Sequence, residues 1–329
     1  MFIKTFINTL LILLLIWIII FFAQFGKPTL MSQWIYDVYT KKLQIASNIK
    51  KPKILFIAGS NILFGLNTPY LQKHLKKPIL NLGVNAGVGL PVILHYAKKA
   101  LKPNDIAILP LEYELYLYNG KAGVQMIDYI LSREPKLFFS LTFKEQLYIL
   151  WHTTFKRLLN GYFDNSIKPL QVGPYGLKNI NKYGDQINND TKHQTKQMLQ
   201  ELKKLQLNPP SFFNKFNTNA ISFKYLQNFQ KWCKKRHIKV IFTPPTLMYN
   251  KKYYTNKKYI NFFTNLPKLL NSKGFTYIGN PYDFFYNPSF YFNTNYHLKQ
   301  PYQKKFSRQL VNLLDYHLIN NLTFAPNPH

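Results

Sequence analysis

An uncharged apolar segment near the amino terminus constrains this chain more than any other feature. Residues 6–25 read FINTLLILLLIWIIIFFAQF and contain no Asp, Glu, Lys or Arg. About 20 helical residues at about 1.5 Å each reach about 30 Å, which matches the hydrocarbon thickness of a bilayer. The apolar run is too long for the core of an ordinary signal peptide, and a small-x-small cleavage pattern does not follow it. The sequence therefore predicts an uncleaved transmembrane anchor, preceded by a short tail of residues 1–5.

The remainder of the chain is long and apolar enough to form a globular domain. The protein has 329 residues, of which 47% are hydrophobic and 17% aromatic, so general disorder is excluded. Cys233 is the single cysteine, which excludes a disulfide framework, and we expect it to be a helix residue rather than a nucleophile. We predict a linker over residues 26–51, one domain over 52–320 and a frayed tail over 321–329.

The net charge indicates which kinds of partner to consider. With 43 Lys and Arg against 13 Asp and Glu, the formal charge is +30, which attracts nucleic acid, anionic lipid or anionic envelope polymer. The lysines are spread along the whole chain, and neither a basic arm nor a zinc-finger spacing is present. A lysine-rich composition is the simpler explanation, and a surface that faces a polyanion is the alternative. We do not expect nucleic-acid binding.

Short apolar runs closed by Gly, Pro or Asn alternate with helical stretches along most of the chain. This spacing is typical of a parallel sheet with helices on both faces, that is, of an α/β fold. The predicted strands end near the following residues: Gly59, Asn81, Leu111, Thr243 and Gly279.

Residues 120–210 interrupt this alternation and predict a mostly helical insertion, with helices over 122–133, 141–159 and 192–205. Residues 122–159 of this insertion carry an apolar stripe. We expect this stripe to pack onto the sheet, and a lipid-facing surface is the alternative. Its members are Phe138, Phe139, Leu147 and Trp151.

Candidate catalytic residues lie where the predicted strands end, the usual place for a site in open α/β sheets. The first strand runs into Gly59-Ser60-Asn61, a turn that can present the Ser60 hydroxyl as a nucleophile beside backbone N–H groups. Far along the chain, His297 stands just before the last predicted helix and is a candidate general base. Each motif alone is weak, because Gly-Ser-Asn is ordinary turn chemistry and a lone His is usually structural.

Together these segments resemble the SGNH (GDSL-like) hydrolase superfamily, and most closely its membrane-anchored bacterial members related to the teichoic-acid D-alanine transfer protein and to alginate O-acetylation proteins. The similar segments are ILFIAGSNILFGLNTPYLQ from Ile54, LNLGVNAGVGLPVILHYAKKALKPNDIAILPLEYE from Leu80, and YFNTNYHLKQPYQ from Tyr291. The resemblance implies a three-layer α/β/α, flavodoxin-like parallel sheet. It also implies an acyl-enzyme chemistry without metal or cofactor.

The resemblance further implies roles for particular residues. Ser60 would be the nucleophile and His297 the base, and donors to the oxyanion would come from Gly83, Asn61 or Asn85. The family usually has an Asp a few residues before the His, where this chain has Asn293. An amide orients an imidazole but does not stabilise the imidazolium as a carboxylate does. Asp283 is therefore a possible substitute acid, and otherwise we expect the pKa of His297 to stay near 6.5.

Three further acidic residues are candidates to face the substrate. Glu112 and Glu114 follow the third predicted strand, and Asp185 belongs to the loop NKYGDQINND. Each also has a structural explanation. The two glutamates would cap a helix or pair with some of the many basic residues, and Asp185 would be a β-turn residue.

Two functions are consistent with these observations. The first is an esterase or O-acyltransferase that acts on a cell-envelope polymer through an acyl-serine intermediate. The second is a catalytically impaired protein of the same fold that binds an anionic polymer or assists a membrane-bound acyltransferase. The resemblance implies a single-pass protein of the bacterial cytoplasmic membrane with its domain outside. Counting flanking lysines alone would place the domain inside.

Overall fold

The fold is built on a four-stranded parallel sheet. The computed structural model describes residues 2–164, 168–215 and 217–319, so the predicted tail 321–329 lies outside the described residues. The strand order is β2-β1-β3-β4, and a two-stranded parallel sheet, β5-β6, lies elsewhere. The strands are β1 Ile54–Phe56, β2 Ile79–Asn81, β3 Ile106–Leu109, β4 Lys239–Phe242, β5 Leu247–Met248 and β6 Phe285–Tyr286.

Helices make up most of the rest. The α-helices are α1 Phe2–Phe22, α2 Leu30–Asn48, α3 Ser60–Gly65, α4 Thr68–Leu75, α5 Gly89–Ala100, α6 Tyr113–Tyr116, α7 Val124–Arg133, α8 Pro135–Phe138, α9 Phe143–His152, α10 Phe155–Phe163, α11 Lys196–Leu207, α12 Ile221–Lys234, α13 Lys252–Thr255, α14 Lys257–Ser272 and α15 Gln300–Ile319. Short 3-10 helices cover Ala86–Val88, Leu177–Asn179, Thr191–His193, Phe212–Lys215, Pro281–Phe284 and Pro288–Phe290.

The predicted strands form the central sheet, with one exception. Leu55 in β1 lies between Leu80 and Ala107 of its two neighbours, and β1 and β2 are buried throughout. Burial on both faces explains why these strands are continuous apolar runs rather than alternating ones. The last predicted strand, near Gly279, is reduced to a single parallel bridge between Phe242 and Tyr277.

Two groups of helices pack around the sheet. Helices α3 and α4 pack against α15, and α4 also contacts β2. In the second group, α5 contacts α2, α7 and α12, while α2 also contacts α7 and α12 also packs on β4. Local capping agrees with the sequence at α4, where the Asn67 side chain accepts a hydrogen bond from the Tyr70 N–H at 3.0 Å.

Residues 26–51, which the sequence analysis assigned to a linker, mostly form α2. This helix buries Trp34, Ile35, Val38 and Tyr39 and packs against α5, α7 and β2. The spacing of these apolar residues is that of one helical face, so α2 belongs to the core of the domain.

The interrupting region is mostly helical, as predicted, but its second helix and its apolar stripe differ from the prediction. The predicted helix over 141–159 is two helices. The first ends at His152 with Thr153 as its C-cap, and Thr154 caps the second by accepting from the Arg157 N–H at 3.2 Å. In the stripe, Phe138 is buried, whereas Phe139, Leu147 and Trp151 are exposed. The stripe therefore does not pack onto the sheet.

Helix α1 projects its apolar side chains outward. It has 21 residues, its most apolar window of 18 residues has a mean hydropathy of 2.7, and Phe21 is its buried residue. Within the described residues it is the one helix long and apolar enough to cross a membrane. Its length and composition agree with the predicted anchor, although the helix begins at Phe2 rather than near residue 6.

Candidate functional site

Ser60 is the first residue of α3 and lies directly beyond the carboxyl end of β1. It is half-buried and lines a cavity of about 890 Å³. The turn that presents it requires glycine at position 59, because a Cβ there would lie 2.5 Å from Glu112 Oε1 and 2.6 Å from the Ala86 Cβ. As the first residue of a helix, Ser60 has a backbone N–H without an intrahelical acceptor. Hydroxyl and N–H therefore stand together at the cavity wall.

Glu112 stabilises this turn through two hydrogen bonds. Its carboxylate accepts the Gly59 N–H and the Asn61 N–H, both at 2.9 Å, so it ties down the residues on either side of Ser60. It is 2% exposed, and burial raises the pKa of its carboxyl to about 7 against the opposing effect of those two N–H groups. Glu112 also lines the cavity, but its hydrogen bonds go to the turn that contains Ser60 rather than outward.

His297 lies across the same cavity and is held in one orientation. Its ring stacks on Phe64 with centroids 4.1 Å apart and an angle of 6° between the planes. Its Nδ1 is 2.6 Å from Asn293 Oδ1, and the Asn293 Nδ2 in turn donates to the Tyr175 hydroxyl at 2.9 Å. Because an amide oxygen only accepts, Nδ1 carries the proton and Nε2 is left with a lone pair.

The loop around His297 sets this pairing. The Phe292 N–H donates to the His297 carbonyl at 2.7 Å, and an antiparallel bridge joins Tyr291 to Leu298. The chain between them is a short hairpin-like turn, so residues four apart face each other. Asn293 therefore occupies the position beside Nδ1, which is where the sequence analysis placed the replacement for the usual Asp.

Burial makes His297 a weaker base than expected. The imidazole is 4% exposed, and burial lowers its pKa from 6.5 to about 3. The expectation of a pKa near 6.5 is therefore wrong, because it considered the missing carboxylate but not desolvation. The imidazole is neutral at all physiological pH values.

Ser60 and His297 line one cavity but are not hydrogen-bonded to each other in the part of the chain that the structure describes. Catalytic hydrogen bonds are often long in unliganded enzymes and shorten when substrate binds, so this geometry is compatible with a nucleophile and its base.

Of the three predicted oxyanion donors, Asn85 alone lines the cavity. Its Oδ1 accepts the Gly87 N–H at 2.6 Å, which leaves its Nδ2 group as a donor at the wall. Gly83 is unsuitable because its N–H donates to Asn81 Oδ1 at 2.9 Å. Asn61 is fully buried, and its Nδ2 donates to the Pro110 carbonyl at 2.6 Å.

Gly83 has a packing role instead. A Cβ there would lie 2.3 Å from Ile62 Cγ1 and 2.5 Å from the Gly59 carbonyl, so the segment that follows β2 lies close to the turn that contains Ser60. Its carbonyl accepts from the buried Lys42 ammonium. The sequence gives no sign of these tertiary partners.

The far part of the cavity combines one polar pair with an apolar wall. Glu114 is exposed to the cavity and accepts a hydrogen bond from the Tyr296 hydroxyl at 2.7 Å. The same hydroxyl accepts the Tyr113 N–H at 3.2 Å. Glu114 thus lies where the prediction of a substrate-facing residue requires, whereas Tyr175 and Tyr296 were missed. The apolar wall consists of Leu90, Leu115, Leu117 and Met126.

The two aspartates lie away from the cavity wall. Asp185 is 2% exposed and accepts from the Thr68 N–H, the Thr68 hydroxyl and the Asn81 amide at 2.6 to 2.9 Å, so it joins loops rather than facing a substrate. Asp283 is exposed in a 3-10 helix, and its carbonyl accepts from Gln309 at 2.5 Å. It does not substitute for the acid, because Asn293 fills the position beside the imidazole.

The remaining candidates for chemistry are structural. Cys233 is buried in α12, and burial raises the pKa of its thiol to about 12, so it is a packed helix residue as expected. Across the described ranges, no three His, Cys, Asp or Glu side chains are close enough to bind a metal ion.

Neither a known protein-family model nor a curated protein matches this sequence. The function must therefore be argued from the chemistry of the cavity: a serine on a strand–helix turn, a neutral histidine with its proton on Nδ1, and an amide donor at the wall.

Proposed function

We propose that the protein is a membrane-anchored serine esterase or O-acyltransferase of the SGNH type. The observation that carries this proposal is the cavity shared by Ser60 and His297, in which Asn293 fixes the imidazole with Nε2 as an acceptor. A hydroxyl and an imidazole in these positions are the two parts that acyl transfer needs most.

The sheet supports the same proposal. A strand order of β2-β1-β3-β4, extended by the bridge from Phe242 to Tyr277, is compatible with the 2-1-3-4-5 order of flavodoxin-like folds. We propose a three-layer arrangement in which helices α3, α4 and α15 cover one face of the sheet and helices α2, α5, α7 and α12 cover the other. In such folds the site lies beyond the carboxyl ends of the strands, where Ser60 is located.

The proposed reaction proceeds in two halves. Ser60 Oγ attacks the acyl carbonyl carbon while His297 Nε2 takes the hydroxyl proton, and the Ser60 N–H and the Asn85 Nδ2 stabilise the oxyanion. Collapse of this intermediate breaks the ester bond, and His297 returns the proton to the departing alkoxide. Water or a sugar hydroxyl then attacks acyl-Ser60, gives its proton to Nε2, and releases the Ser60 alkoxide, which recovers that proton.

The substrate that we propose is an acylated or anionic polymer of the bacterial cell envelope. A net charge of +30 favours an anionic chain, and an apolar anchor keeps the enzyme where such chains are made or exported. We place the domain on the outer side of the cytoplasmic membrane, with a membrane-bound acyltransferase as a possible partner. This location is tested by a reporter that is active only in the cytoplasm, fused after His329. An active reporter would contradict the proposed location.

The enzyme proposal is tested by labelling with a serine-directed fluorophosphonate. Label should attach to the wild type and be lost in Ser60→Ala. Ser272→Ala is the matched control, because that serine lies in α14 far along the chain and its hydroxyl donates to the Leu269 carbonyl at 2.9 Å. Equal labelling of wild type and Ser60→Ala would contradict the proposal.

A second function is favoured by one observation, the weak base at the site. With an amide partner and a pKa of about 3, His297 accepts a proton less readily than the histidine of a carboxylate triad. The alternative is a binding protein that holds an anionic envelope polymer for a membrane acyltransferase. It requires polymer binding that is unchanged in Ser60→Ala, together with no turnover and no label in the wild type.

A further inference from the structure

Helices α8 to α10 surround the carboxyl end of the apolar helix α1. The Trp17 indole N–H lies 3.3 Å from the Leu150 carbonyl of α9. Further along, the Phe22 ring is stacked parallel to Phe139 with centroids 6.4 Å apart. Trp17 lies five residues before the end of α1, which is about 7 to 8 Å along the helix axis. The part of α9 near Leu150 therefore lies beside α1 at this depth, and not beyond its end.

The faces of α9 and α10 that point away from the domain are apolar and exposed. Both faces follow the helical period, because their members are spaced by four residues. On the opposite sides, Ile149 of α9 and Leu158 of α10 are buried. The exposed members are Phe143 71%, Leu147 38%, Trp151 61%, Phe155 71%, Leu159 41% and Phe163 77%. We call these six residues the α9–α10 apolar face.

The exposed charges beside this face are positive. Lys136, Lys144 and Lys156 are exposed, whereas Glu145 is buried and accepts from the Tyr118 and Tyr225 hydroxyls. Asp164, which follows Phe163, is half-buried and accepts the Leu30 N–H at 3.1 Å. Aromatic and aliphatic side chains flanked by exposed lysines are typical of helices that lie in the interface of an anionic membrane.

The α9–α10 apolar face is fixed relative to the end of α1. Arg157 of α10 pairs with Asp128 at 2.5 Å and donates to Gln24 Oε1 at 3.0 Å, two residues beyond α1. Gly161 allows close contact at the same place, since a Cβ there would lie 2.0 Å from Gln24 Oε1. These buried polar contacts hold α10 against the segment that leaves the apolar helix.

We propose that the α9–α10 apolar face lies in the headgroup and acyl boundary of the bilayer that α1 crosses. The occupant is lipid because this face is continuous with α1: once α1 is inserted, the contact between Trp17 and Leu150 brings α9 to membrane depth. Lipid also removes from water the exposed aromatic rings that a soluble domain would bury. The inference rests on the anchor of the proposed function and is independent of its esterase chemistry.

The experiment uses the full chain in vesicles of phosphatidylcholine and phosphatidylglycerol. In a Cys233→Ala background, a single cysteine is placed at Phe155 or Phe163 and labelled with an environment-sensitive fluorophore. The matched control is a cysteine at Leu207, which is 70% exposed at the end of α11. Quenching by spin-labelled lipid should be at least several-fold stronger at Phe155 and Phe163 than at Leu207, with the reverse order for iodide.

Three results would overturn the inference, and the first two differ in what else they refute. If the probes at Phe155 and Phe163 behave like the one at Leu207 while the protein resists extraction by alkaline carbonate, the anchor stands and the lipid-facing surface is wrong. If alkaline carbonate extracts the protein, both the anchor and the surface are wrong. A photoreactive residue in place of Trp151 could also crosslink to a membrane protein instead of lipid. That result would show that a protein covers the α9–α10 apolar face, and the proposal of a lipid occupant would be wrong.

Discussion

Replacing Asn293 by Asp should strengthen the base at the site. Burial that lowers the pKa of His297 from 6.5 to about 3 disfavours the imidazolium by roughly 5 kcal/mol, at 1.36 kcal/mol per pH unit. A carboxylate 2.6 Å from Nδ1 would raise that pKa by about 1 to 3 pH units. The Tyr175 hydroxyl, which accepts from the amide, can turn and donate to the carboxylate.

The expected gain in kcat is about 10-fold or more near pH 8. Hydrolysis of a small acetyl ester should be measured from pH 5 to pH 8 for the wild type and Asn293→Asp. The wild-type rate should hardly fall over this range, because its base stays neutral, whereas the variant should lose activity toward pH 5 as its imidazole becomes protonated.

Asn295→Asp is the matched control for this prediction. Asn295 is buried in the same loop and lines the same cavity, but its side chain is not bonded to the imidazole. It should give no gain in rate. If Asn293→Asp folds normally and yet lowers kcat at every pH, the amide does not stand in for an acid, and the reasoning fails.

Three further changes probe the nucleophile turn and its support. Ser60→Ala and His297→Ala should each abolish ester hydrolysis. The double variant should lose no more activity than either single variant, because the two residues act as a unit. Single-turnover rates of all three variants would test this. Gly59→Ala should lower the free energy of unfolding by about 1 to 3 kcal/mol, because the new Cβ meets Glu112 and Ala86, and a thermal melt would detect this. The pKa of Glu112 is about 7 in the folded protein against 4.5 ordinarily, so between these pH values the folded state binds a proton that the unfolded state has lost. The free energy of unfolding should therefore fall as the pH rises from 4.5 to 7. Glu112→Gln should remove this part of the pH dependence, which thermal melts at pH 5 and pH 7 would measure.

The sequence predicted those parts of the fold that depend on local pattern. β1 to β4 were found because buried parallel strands are short apolar runs closed by turn residues. α2 was missed because its buried face includes polar residues such as Lys42 and Gln33, which obscure the helical period. The break between α9 and α10 depends on capping by Thr154, a weak signal in sequence.

The site was predictable where its residues are close in sequence. Asn293 and His297 are four residues apart in one loop, so their pairing could be expected. The oxyanion donors could not be predicted in the same way. Gly83 and Asn61 have suitable N–H groups, but the Gly83 N–H donates to Asn81 Oδ1 two residues earlier, and the Asn61 Nδ2 donates to the Pro110 carbonyl far along the chain.

Helix α7 connects the cavity wall to the segment that leaves α1. Its first turn contributes Met126 to the cavity wall, and five residues later the Leu131 carbonyl accepts the Gly26 N–H at 2.8 Å, four residues beyond the end of α1. Five residues at about 1.5 Å separate these two points by about 8 Å along the helix. Under the membrane anchoring and esterase function that we propose, a substrate attached to a membrane lipid would need only a few sugar units between its lipid and its acyl group to reach Ser60. The rate of acyl transfer should therefore depend on the length of that sugar chain.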